Sequence, residues 1–580
     1  MTLTTAPVRR SGPPTPARAA RRPAALPWLL VAGTVAQLVM RLWLASSHRA
    51  PAANPDETGY LVAARWMAGF PSGDLSGCTL YQGGYSLLLT PVYWVTRDPA
   101  AVYRIVMAIN ALIGAALFPL GYAAARRLGL GRRAALPVVF AAVLLPASTF
   151  FGAWALADAV LPTLALAWLL VLDRFVRNGR VWDAVGASAL ASYAAMVHSR
   201  GAVIVAVHVL VLVAVAVTGR RRVLRAVIGG GAVVIAGYAA GAALNARVRA
   251  EMYPSGARDL AANLESRITT VPGQEWALSG AAGQLWYLVV ATWGLAGIGL
   301  AVTTVVLVRR RTPVPDRIMA GTLLTATLAI AYASSAALPD EHRVGNFAYG
   351  RYLSCLALVH TLVGAVALLR SGHRAAMRLA AAALLAVGAT AWWVTAYAGE
   401  RLRTHRFISF DFPETTFLTG DRTALHLPEV TLTGSAALCG FLALSRLGRR
   451  YGPVAVAAGL AAINFAALMF AMAPGPRHDR PAPPFPGPEA GGVVADVSLH
   501  WALRISLVHP VWWTRVGFID TRHGGRPAPG VCTVVVPQPD GTPAEATWPA
   551  HPAGWWPHAG RRAWSLGWVS WHAPSCDAPR

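Results

Sequence analysis

The chain of 580 residues contains no lysine, so all 51 of its basic residues are arginine. Charged residues of both signs make up only 13% of the chain, whereas 55% of the residues are hydrophobic. Soluble globular proteins carry about 25% charged residues. The scarcity of charge therefore excludes an ordinary soluble domain, whereas the absence of lysine alone excludes no function.

The sequence also lacks the short motifs of several enzyme classes. It has no Walker loop, no dinucleotide fingerprint after a strand, no Cys-x-x-Cys pair and no His-Glu-x-x-His. The energy for any reaction must then come from the substrate itself or from an ion gradient.

Cysteine is scarce as well, with five residues in the whole chain. Cys355 and Cys439 lie in or beside apolar segments, where we expect them to act as small packing residues. Cys532 and Cys576 lie in the C-terminal part and could form a disulfide if that part is outside the cell.

Long apolar runs are abundant, and their length of roughly 18–22 residues matches the thickness of a bilayer core. They predict an α-helical polytopic membrane protein with about thirteen transmembrane helices and a small external C-terminal domain that contains β structure. The predicted spans are 27–46, 100–125, 134–151, 155–172, 182–197, 201–218, 225–244, 283–307, 318–337, 353–369, 379–397, 430–446 and 452–473.

The net charge of +25 could indicate a nucleic-acid partner, but the distribution of arginine argues against one. Seven short segments hold 26 of the arginines and only three acids, namely 1–26, 126–133, 173–183, 219–225, 309–317, 370–378 and 446–451. This is the positive-inside pattern of a membrane protein. It places the N-terminus in the cytoplasm, and an odd number of spans then places the C-terminus outside the cell membrane.

The predicted organisation has three parts. A Pro- and Arg-rich leader at 1–26 precedes the membrane domain at 27–473, and a Pro-rich linker and Trp-rich domain follow at 474–580. The longer polar connections fall on the predicted external side, at 47–99, 245–282, 338–352 and 398–429.

An acidic pair, Asp56-Glu57, stands about ten residues beyond the first predicted span. One interpretation is a helix start, with Asn54 as N-cap, Pro55 at the first helical position and Glu57 in a capping box. The other is catalytic: a carboxylate fixed at the membrane boundary can take a proton from an acceptor while a lipid-borne donor stays in the bilayer.

The stretch Asn54-Pro55-Asp56-Glu57-Thr58-Gly59-Tyr60, followed by Ala63-Ala64-Arg65, resembles the first-loop motif of the GT-C glycosyltransferases. These enzymes use polyprenyl-phosphate sugars and include protein O-mannosyltransferases and the aminoarabinose transferases of lipid A. The resemblance implies an external active site and a soluble C-terminal part. Within the motif, Tyr60 and Arg65 are accessory candidates.

Asp158 lies at the predicted external turn between the third and fourth spans. An acid so close to an apolar helix is costly and is a functional candidate, although a water-exposed helix cap is the alternative. The resemblance implies a second acid at this turn that positions the acceptor or a metal. Asp56 and Asp158 could bind a divalent cation through oxygen, and the sequence leaves open whether one is needed.

Two arginines on the predicted external side are candidates for a lipid phosphate, because a guanidinium pairs well with phosphate oxygens. Arg200 lies in His198-Ser199-Arg200-Gly201, where His198 is expected to support it by hydrogen bonding. The alternative for Arg200 is snorkelling to lipid headgroups.

The second arginine is Arg351, in Tyr349-Gly350-Arg351-Tyr352-Leu353. This stretch resembles the Arg-Tyr motif of many GT-C members, which makes Arg351 and Tyr352 the stronger phosphate-binding candidates. An aromatic membrane anchor is the alternative. Accessory candidates in the same predicted loop are Glu341, His342, Arg343 and Asn346.

The leading hypothesis is a membrane glycosyltransferase that moves a sugar from a polyprenyl-phosphate carrier to an external glycan, lipid or protein. Asp56 would be the general base, Glu57 and Asp158 would shape the acceptor or cation site, and the arginines would offset charge on the leaving phosphate. The alternatives are a transporter or lipid flippase with acidic coupling sites, and a non-catalytic scaffold whose Trp-rich tail binds envelope glycans.

Overall fold

The computed structural model describes residues 25–48, 51–53, 55–218, 221–473, 492–500, 503–504, 516–563 and 566–576. The predicted leader up to residue 24 and the Pro-rich linker at 474–491 lie outside these ranges. Helices dominate the membrane domain. In the first half they are α1 (Ala25–Ala45), α2 (Asp56–Met67), α3 (Gly83–Leu89), α4 (Val92–Val95), α5 (Pro99–Ala115), α6 (Leu117–Arg127), α7 (Arg132–Val143), α8 (Pro146–Thr149), α9 (Leu161–Asn178), α10 (Val181–Val197), α11 (Ser199–Thr218) and α12 (Arg221–Met252).

The second half of the membrane domain continues the bundle. Its helices are α13 (Leu260–Thr269), α14 (Val271–Val290), α15 (Leu295–Val308), α16 (Val314–Ala337), α17 (Ser354–Arg370), α18 (His373–Ala398), α19 (Arg401–Thr404), α20 (Pro413–Thr419), α21 (Leu427–Ser445) and α22 (Gly448–Met472). Single 3-10 turns interrupt the connections, and those at Phe151–Ala153, Ala157–Ala159 and Gly350–Leu353 carry or adjoin candidate site residues.

Within the described residues, nine helices are long and apolar enough to cross a membrane, or eleven if each of two bent pairs counts as one span. The predicted multi-pass helical architecture is therefore confirmed. The predicted count of thirteen also included α9, which carries three charged residues near its end, and α10, which is only 17 residues long.

The predicted straight span at 134–151 is broken, because α7 and α8 meet at a bend of 67°. Arg41, buried in α1, hydrogen-bonds the buried backbone at this break. Its Nη2 donates to Val143 O at 3.0 Å and its Nη1 to Ser148 O at 3.1 Å. Backbone carbonyls inside a membrane need hydrogen-bond donors from within the protein. Arg41 supplies two, which stabilises the bend and holds the chain that leads to Asp158 in place.

The predicted span at 283–307 is also bent, by 113° between α14 and α15. Trp293 and Gly294 turn the chain with φ angles of 57° and 82°. A Cβ on Gly294 would lie 2.5 Å from Cβ of Leu438, so the turn requires glycine both for its conformation and for its packing. Asn464 holds the bend by accepting from Trp293 Nε1 at 2.7 Å and donating to Ala141 O at 2.9 Å.

The predicted polar connection at 245–282 is mostly helical. Helix α12 continues to Met252, α13 follows, and α14 already begins at Val271. Short polar breaks rather than one long loop therefore separate these helices. The connection at 47–99 likewise contains α2, α3 and α4.

The C-terminal part forms a five-stranded sheet, which confirms the predicted β structure. Its strands are β1 (Gly492–Asp496), β2 (Val516–Ile519), β3 (Val531–Gln538), β4 (Trp556–Ala563) and β5 (Leu566–His572), in the order β2-β1-β3-β5-β4. β1 pairs in parallel with β2 and β3, whereas β5 pairs antiparallel with β3 and β4. Val535 packs on one face and Val534 and Val536 on the other, and Cys532 is disulfide-bonded to Cys576.

Candidate active site

Helix α2 carries the acidic pair at its start. The helix begins at Asp56, with Pro55 in the cap position and no side-chain cap hydrogen bond. The predicted N-cap, Asn54, lies outside the described residues. Asp56 is the more accessible of the two acids, since 32% of its side chain is exposed.

Glu57 is fully buried, and both of its carboxylate oxygens accept hydrogen bonds. Oε2 accepts from the backbone nitrogens of Ala52 and Ala53, each at 2.7 Å. Oε1 accepts from Tyr103 Oη at 2.5 Å and from Ala155 N at 2.8 Å. Glu57 therefore ties the start of α2 to the chain just before Asp158, which fixes the distance between the two candidate acids.

Asp158 lies in the 3-10 turn Ala157–Ala159, with 1% of its side chain exposed. Oδ1 accepts from Arg200 Nη2 at 2.7 Å, and Oδ2 accepts from Arg351 Nε at 2.9 Å. Burial alone would raise the pKa of Asp158, but the charges of Arg200 and Arg351 outweigh it and hold the pKa below its ordinary value. Asp158 is thus an ionised counter-charge shared by two arginines.

Arg351 connects both candidate acids. While its Nε donates to Asp158, its Nη1 donates to Asp56 Oδ2 at 2.7 Å. The guanidinium also lies over the ring of Phe151, with 5.5 Å between Cζ and the ring centre. Asp56, Asp158 and Arg351, three residues singled out in the sequence, therefore meet in one place.

Arg200 joins the same cluster from the start of α11. Its Nη1 donates to the backbone oxygens of Arg351 and Tyr352, at 3.1 and 3.3 Å, and its guanidinium lies 5.2 Å from the ring centre of Tyr352. His198 Nδ1 accepts from Arg200 N and Nε at 3.2 and 3.3 Å. Burial, and then the charge of Arg200, keep the pKa of His198 well below its ordinary value, so the ring is a neutral acceptor.

Tyr81 is a site residue that sequence reasoning missed. Its hydroxyl donates to Asp56 Oδ1 at 2.9 Å, on the carboxylate oxygen that Arg351 does not use. Tyr60 packs edge-on against the Tyr81 ring, with 5.4 Å between the ring centres. No motif surrounds Tyr81 in the sequence, and only the fold of the 47–99 connection brings it to Asp56.

A second charged cluster lies beside the first. Glu341 pairs with Arg258 and, at 3.1 Å, with Arg343, whose Nη1 lies 3.8 Å from Asp411 Oδ2. Arg343 also lies over the ring of Tyr349, whose hydroxyl is 3.4 Å from Arg351 Nη1. Tyr349 thus links this second cluster to Arg351.

Asp411 was not predicted, although it is a buried acid in this cluster. Burial, partly offset by Arg343, raises its pKa to about 6. Asp411 is the single acid of the aromatic segment Phe407 to Phe412, and nothing in that segment indicates that this acid is buried beside Arg343.

The remaining accessory candidates shape the loops rather than the cluster. Asn346 accepts from Arg343 N and donates to Pro339 O, and His342 turns the chain with a φ of 51°. Arg65 lies towards the other end of α2, where its Nε donates to Pro71 O at 3.0 Å. These three residues hold backbone in place around the site.

Asp56 and Asp158 were the two predicted oxygen ligands of a divalent cation. The described residues contain no group of three or more His, Cys, Asp or Glu side chains placed to hold a metal ion. Arg351 lies between Asp56 and Asp158 and hydrogen-bonds both. Arg351 and Arg200 together already neutralise the two carboxylates, so these do not fit a divalent cation.

The fold of the chain is similar to that of solved structures. ArnT from Cupriavidus metallidurans bound to undecaprenyl phosphate matches with a TM-score of 0.55 and 17% identity, over 96% of this chain and 100% of that one. The same protein in the apo state matches with a TM-score of 0.54 and 16% identity, over the same shares. The arabinosyltransferase EmbB from Mycobacterium smegmatis gives a TM-score of 0.41 and 14% identity, over 96% of this chain and 47% of that one.

No family model and no curated protein sequence matches the chain. The likeness is therefore one of three-dimensional structure, and it spans the bundle together with the C-terminal part. The chain is a multi-pass membrane protein whose fold is similar to that of ArnT, which confirms the GT-C-like fold predicted from the sequence.

Proposed function

We propose that the chain is a glycosyltransferase that moves a sugar from a polyprenyl-phosphate carrier to a hydroxyl-bearing acceptor outside the cell membrane. The observation that carries the proposal is the joint pairing of Arg351 with Asp56 and Asp158. The ArnT structure is bound to undecaprenyl phosphate, which indicates the class of carrier.

The arginines are suited to the leaving phosphate. Asp158 occupies Arg351 Nε and Arg200 Nη2 and so fixes the orientation of both guanidinium groups. Among the carboxylates that the structure describes, only that of Asp56 accepts a hydrogen bond from Nη1 of Arg351. A phosphate oxygen that binds this edge of Arg351 would compete with Asp56. As the polyprenyl phosphate leaves, Arg351 would act as a preorganised donor that stabilises the negative charge developing on that oxygen.

Asp56 is suited to the role of general base. It is partly exposed, it stands at the rigid start of α2, and Tyr81 anchors its Oδ1. When phosphate replaces Asp56 as the acceptor of the Arg351 Nη1 hydrogen bond, Oδ2 of Asp56 becomes free to accept a proton. Binding of the donor would therefore release the base, which couples the two substrates.

The reaction follows from these positions. The acceptor oxygen attacks the anomeric carbon and forms the new glycosidic bond while its proton passes to Asp56. The bond from the anomeric carbon to the phosphate oxygen breaks, and the electron pair leaves with the polyprenyl phosphate, which stays paired with Arg351. A single displacement of this kind inverts the anomeric carbon.

The test is turnover by purified Asp56→Asn protein supplied with polyprenyl-phosphate sugars and with membrane-derived glycan, lipid and protein acceptors. Loss of a general base lowers kcat by about 10²–10⁴-fold. The matched control is Asp98→Asn, since Asp98 is an exposed N-cap in the same connection and asparagine caps equally well. Full turnover by Asp56→Asn would remove Asp56 from this role.

A further inference from the structure

A narrow cavity is lined by Gly350, the residue that precedes Arg351, and by Phe151, over whose ring the Arg351 guanidinium lies. Its walls are mostly apolar, and its lining includes Ala147, Phe151, Leu288, Ala291, Gly350 and Ala357. Tyr287, Ser354 and Glu414 complete it. In this conformation the space accommodates about one water molecule, which is also the size of one hydroxyl group.

Glu414 is the unusual residue in this cavity. It is almost completely buried in α20, and its Oε2 accepts a hydrogen bond from Tyr287 Oη at 2.7 Å. Its Oε1 is buried and has no hydrogen-bond partner among the residues that the structure describes. A buried carboxylate oxygen without a partner is costly, so the position favours a ligand that supplies the missing hydrogen bond.

The cavity is coupled to Arg351 through the chain itself. Gly350 precedes Arg351 and packs so closely on Tyr287 that a Cβ there would lie 1.7 Å from the ring. Phe151 forms another wall of the cavity and lies under the Arg351 guanidinium. A group attached directly to a phosphate on Arg351 would therefore be next to this cavity.

We infer that the cavity is a donor-sugar subsite in which a hydroxyl group of the sugar donates a hydrogen bond to Oε1 of Glu414. This inference rests on the proposed function, because it takes the phosphate on Arg351 to be that of the lipid-linked sugar. The cavity has room for this hydroxyl group but not for the ring that carries it, and the buried oxygen selects a sugar with a hydroxyl at the matching position. Sugars that lack this hydroxyl leave Oε1 without a partner and bind more weakly.

The pKa of Glu414 agrees with a site that is completed by a ligand. Burial raises it to about 7, although the Tyr287 hydrogen bond works in the opposite direction. An incoming hydroxyl would favour the ionised carboxylate, because it donates to that form.

The experiment measures binding to the purified full-length protein in nanodiscs. The probes are undecaprenyl phosphate without a sugar and undecaprenyl phosphate carrying mannose, glucose or arabinose. We expect the wild-type protein to bind at least one sugar-bearing probe about ten-fold more tightly than the bare carrier, since a hydrogen bond to a charged group supplies a difference of this size.

The decisive variant is the double substitution Tyr287→Phe with Glu414→Met. Removing both partners leaves no unpaired polar group, so the fold is expected to persist. The variant should lose the ten-fold preference while its affinity for bare undecaprenyl phosphate stays unchanged. Thr431→Val is the matched control, because it removes the neighbouring hydrogen bond from Trp286 Nε1 to Thr431 Oγ1 and leaves the cavity intact.

Three results would count against the inference, in distinguishable ways. A double variant that keeps the preference overturns the subsite alone. A wild-type protein that binds bare undecaprenyl phosphate but prefers no sugar-bearing probe also overturns the subsite alone. A wild-type protein that binds none of the probes overturns the proposed function, and the subsite with it.

Discussion

Nη1 of Arg351 lies 2.7 Å from Oδ2 of Asp56, although the two residues are 295 positions apart in the chain. This pairing joins the first helix after α1 to the turn that begins the span at Gly350–Arg370. Because the same guanidinium also holds Asp158, any change in Arg351 reaches both carboxylates. Its planar shape is what allows the two contacts at once.

Arg351→Lys is expected to lower kcat/KM for a polyprenyl-phosphate sugar by about 10²-fold, because a single ammonium cannot serve both acids and a phosphate. Steady-state kinetics with varied donor checks this. Arg403→Lys provides the control, since Arg403 is an exposed arginine in α19. An Arg351→Lys enzyme with unchanged kcat/KM would contradict the bridging role.

Tyr81→Phe removes the hydroxyl that anchors Asp56 Oδ1 and leaves the Arg351 pairing in place. A single lost hydrogen bond of this kind lowers kcat by about 5–10-fold. KM for the donor should stay the same, because the structure places Tyr81 on Asp56 rather than on an arginine. Tyr451→Phe, at an exposed position, is the control, and a rise in donor KM with normal kcat would refute the assignment.

Asp158→Asn would leave two buried guanidinium groups without their shared carboxylate, at a cost of about 3–5 kcal/mol in the free energy of unfolding.

The stability that Asp158 provides should also depend on pH. Its pKa is lowered in the folded protein, so its contribution to the free energy of unfolding is present at neutral pH and is lost as the pH falls below the ordinary aspartate value of about 3.9. Thermal unfolding in detergent between pH 7 and pH 3 measures this. The wild-type Tm should fall more steeply with acid than that of Asp158→Asn, and parallel curves would contradict the prediction.

Arg41→Met tests the broken span that leads to Asp158. Methionine fills the space but leaves Ser148 O buried without its donor, which costs about 1–3 kcal/mol. We expect a lower Tm and reduced turnover, although Arg41 donates to backbone oxygens and has no role in the proposed chemistry. The exposed Arg104→Met on α5 is the control, and an unchanged Tm for Arg41→Met would show that the bend does not depend on this arginine.

The sequence indicates the side of the membrane on which Asp56, Asp158, Arg200 and Arg351 lie, because charge distribution and apolar length determine the predicted topology. It does not indicate which atoms meet, since those pairings join positions far apart in the chain. Tyr81 and Glu414 were not predicted, because the role of each depends on a hydrogen-bond partner from another segment of the chain.

The bends at 134–151 and 283–307 escaped prediction for a related reason. Hydropathy measures only how apolar a segment is, and both segments are apolar throughout. The structure shows that distant polar side chains, Arg41 and Asn464, stabilise the broken backbone. Helix interruptions inside a membrane therefore depend on partners that a local pattern does not contain.

Two arginines and two aspartates give the cluster around Arg351 a formal charge of zero. A neutral site projects little electric field into the surrounding water, so soluble anions gain no long-range attraction towards it. A lipid-borne donor instead reaches it by lateral diffusion in the plane of the bilayer. Turnover would then follow the mole fraction of carrier lipid in the membrane and depend little on ionic strength.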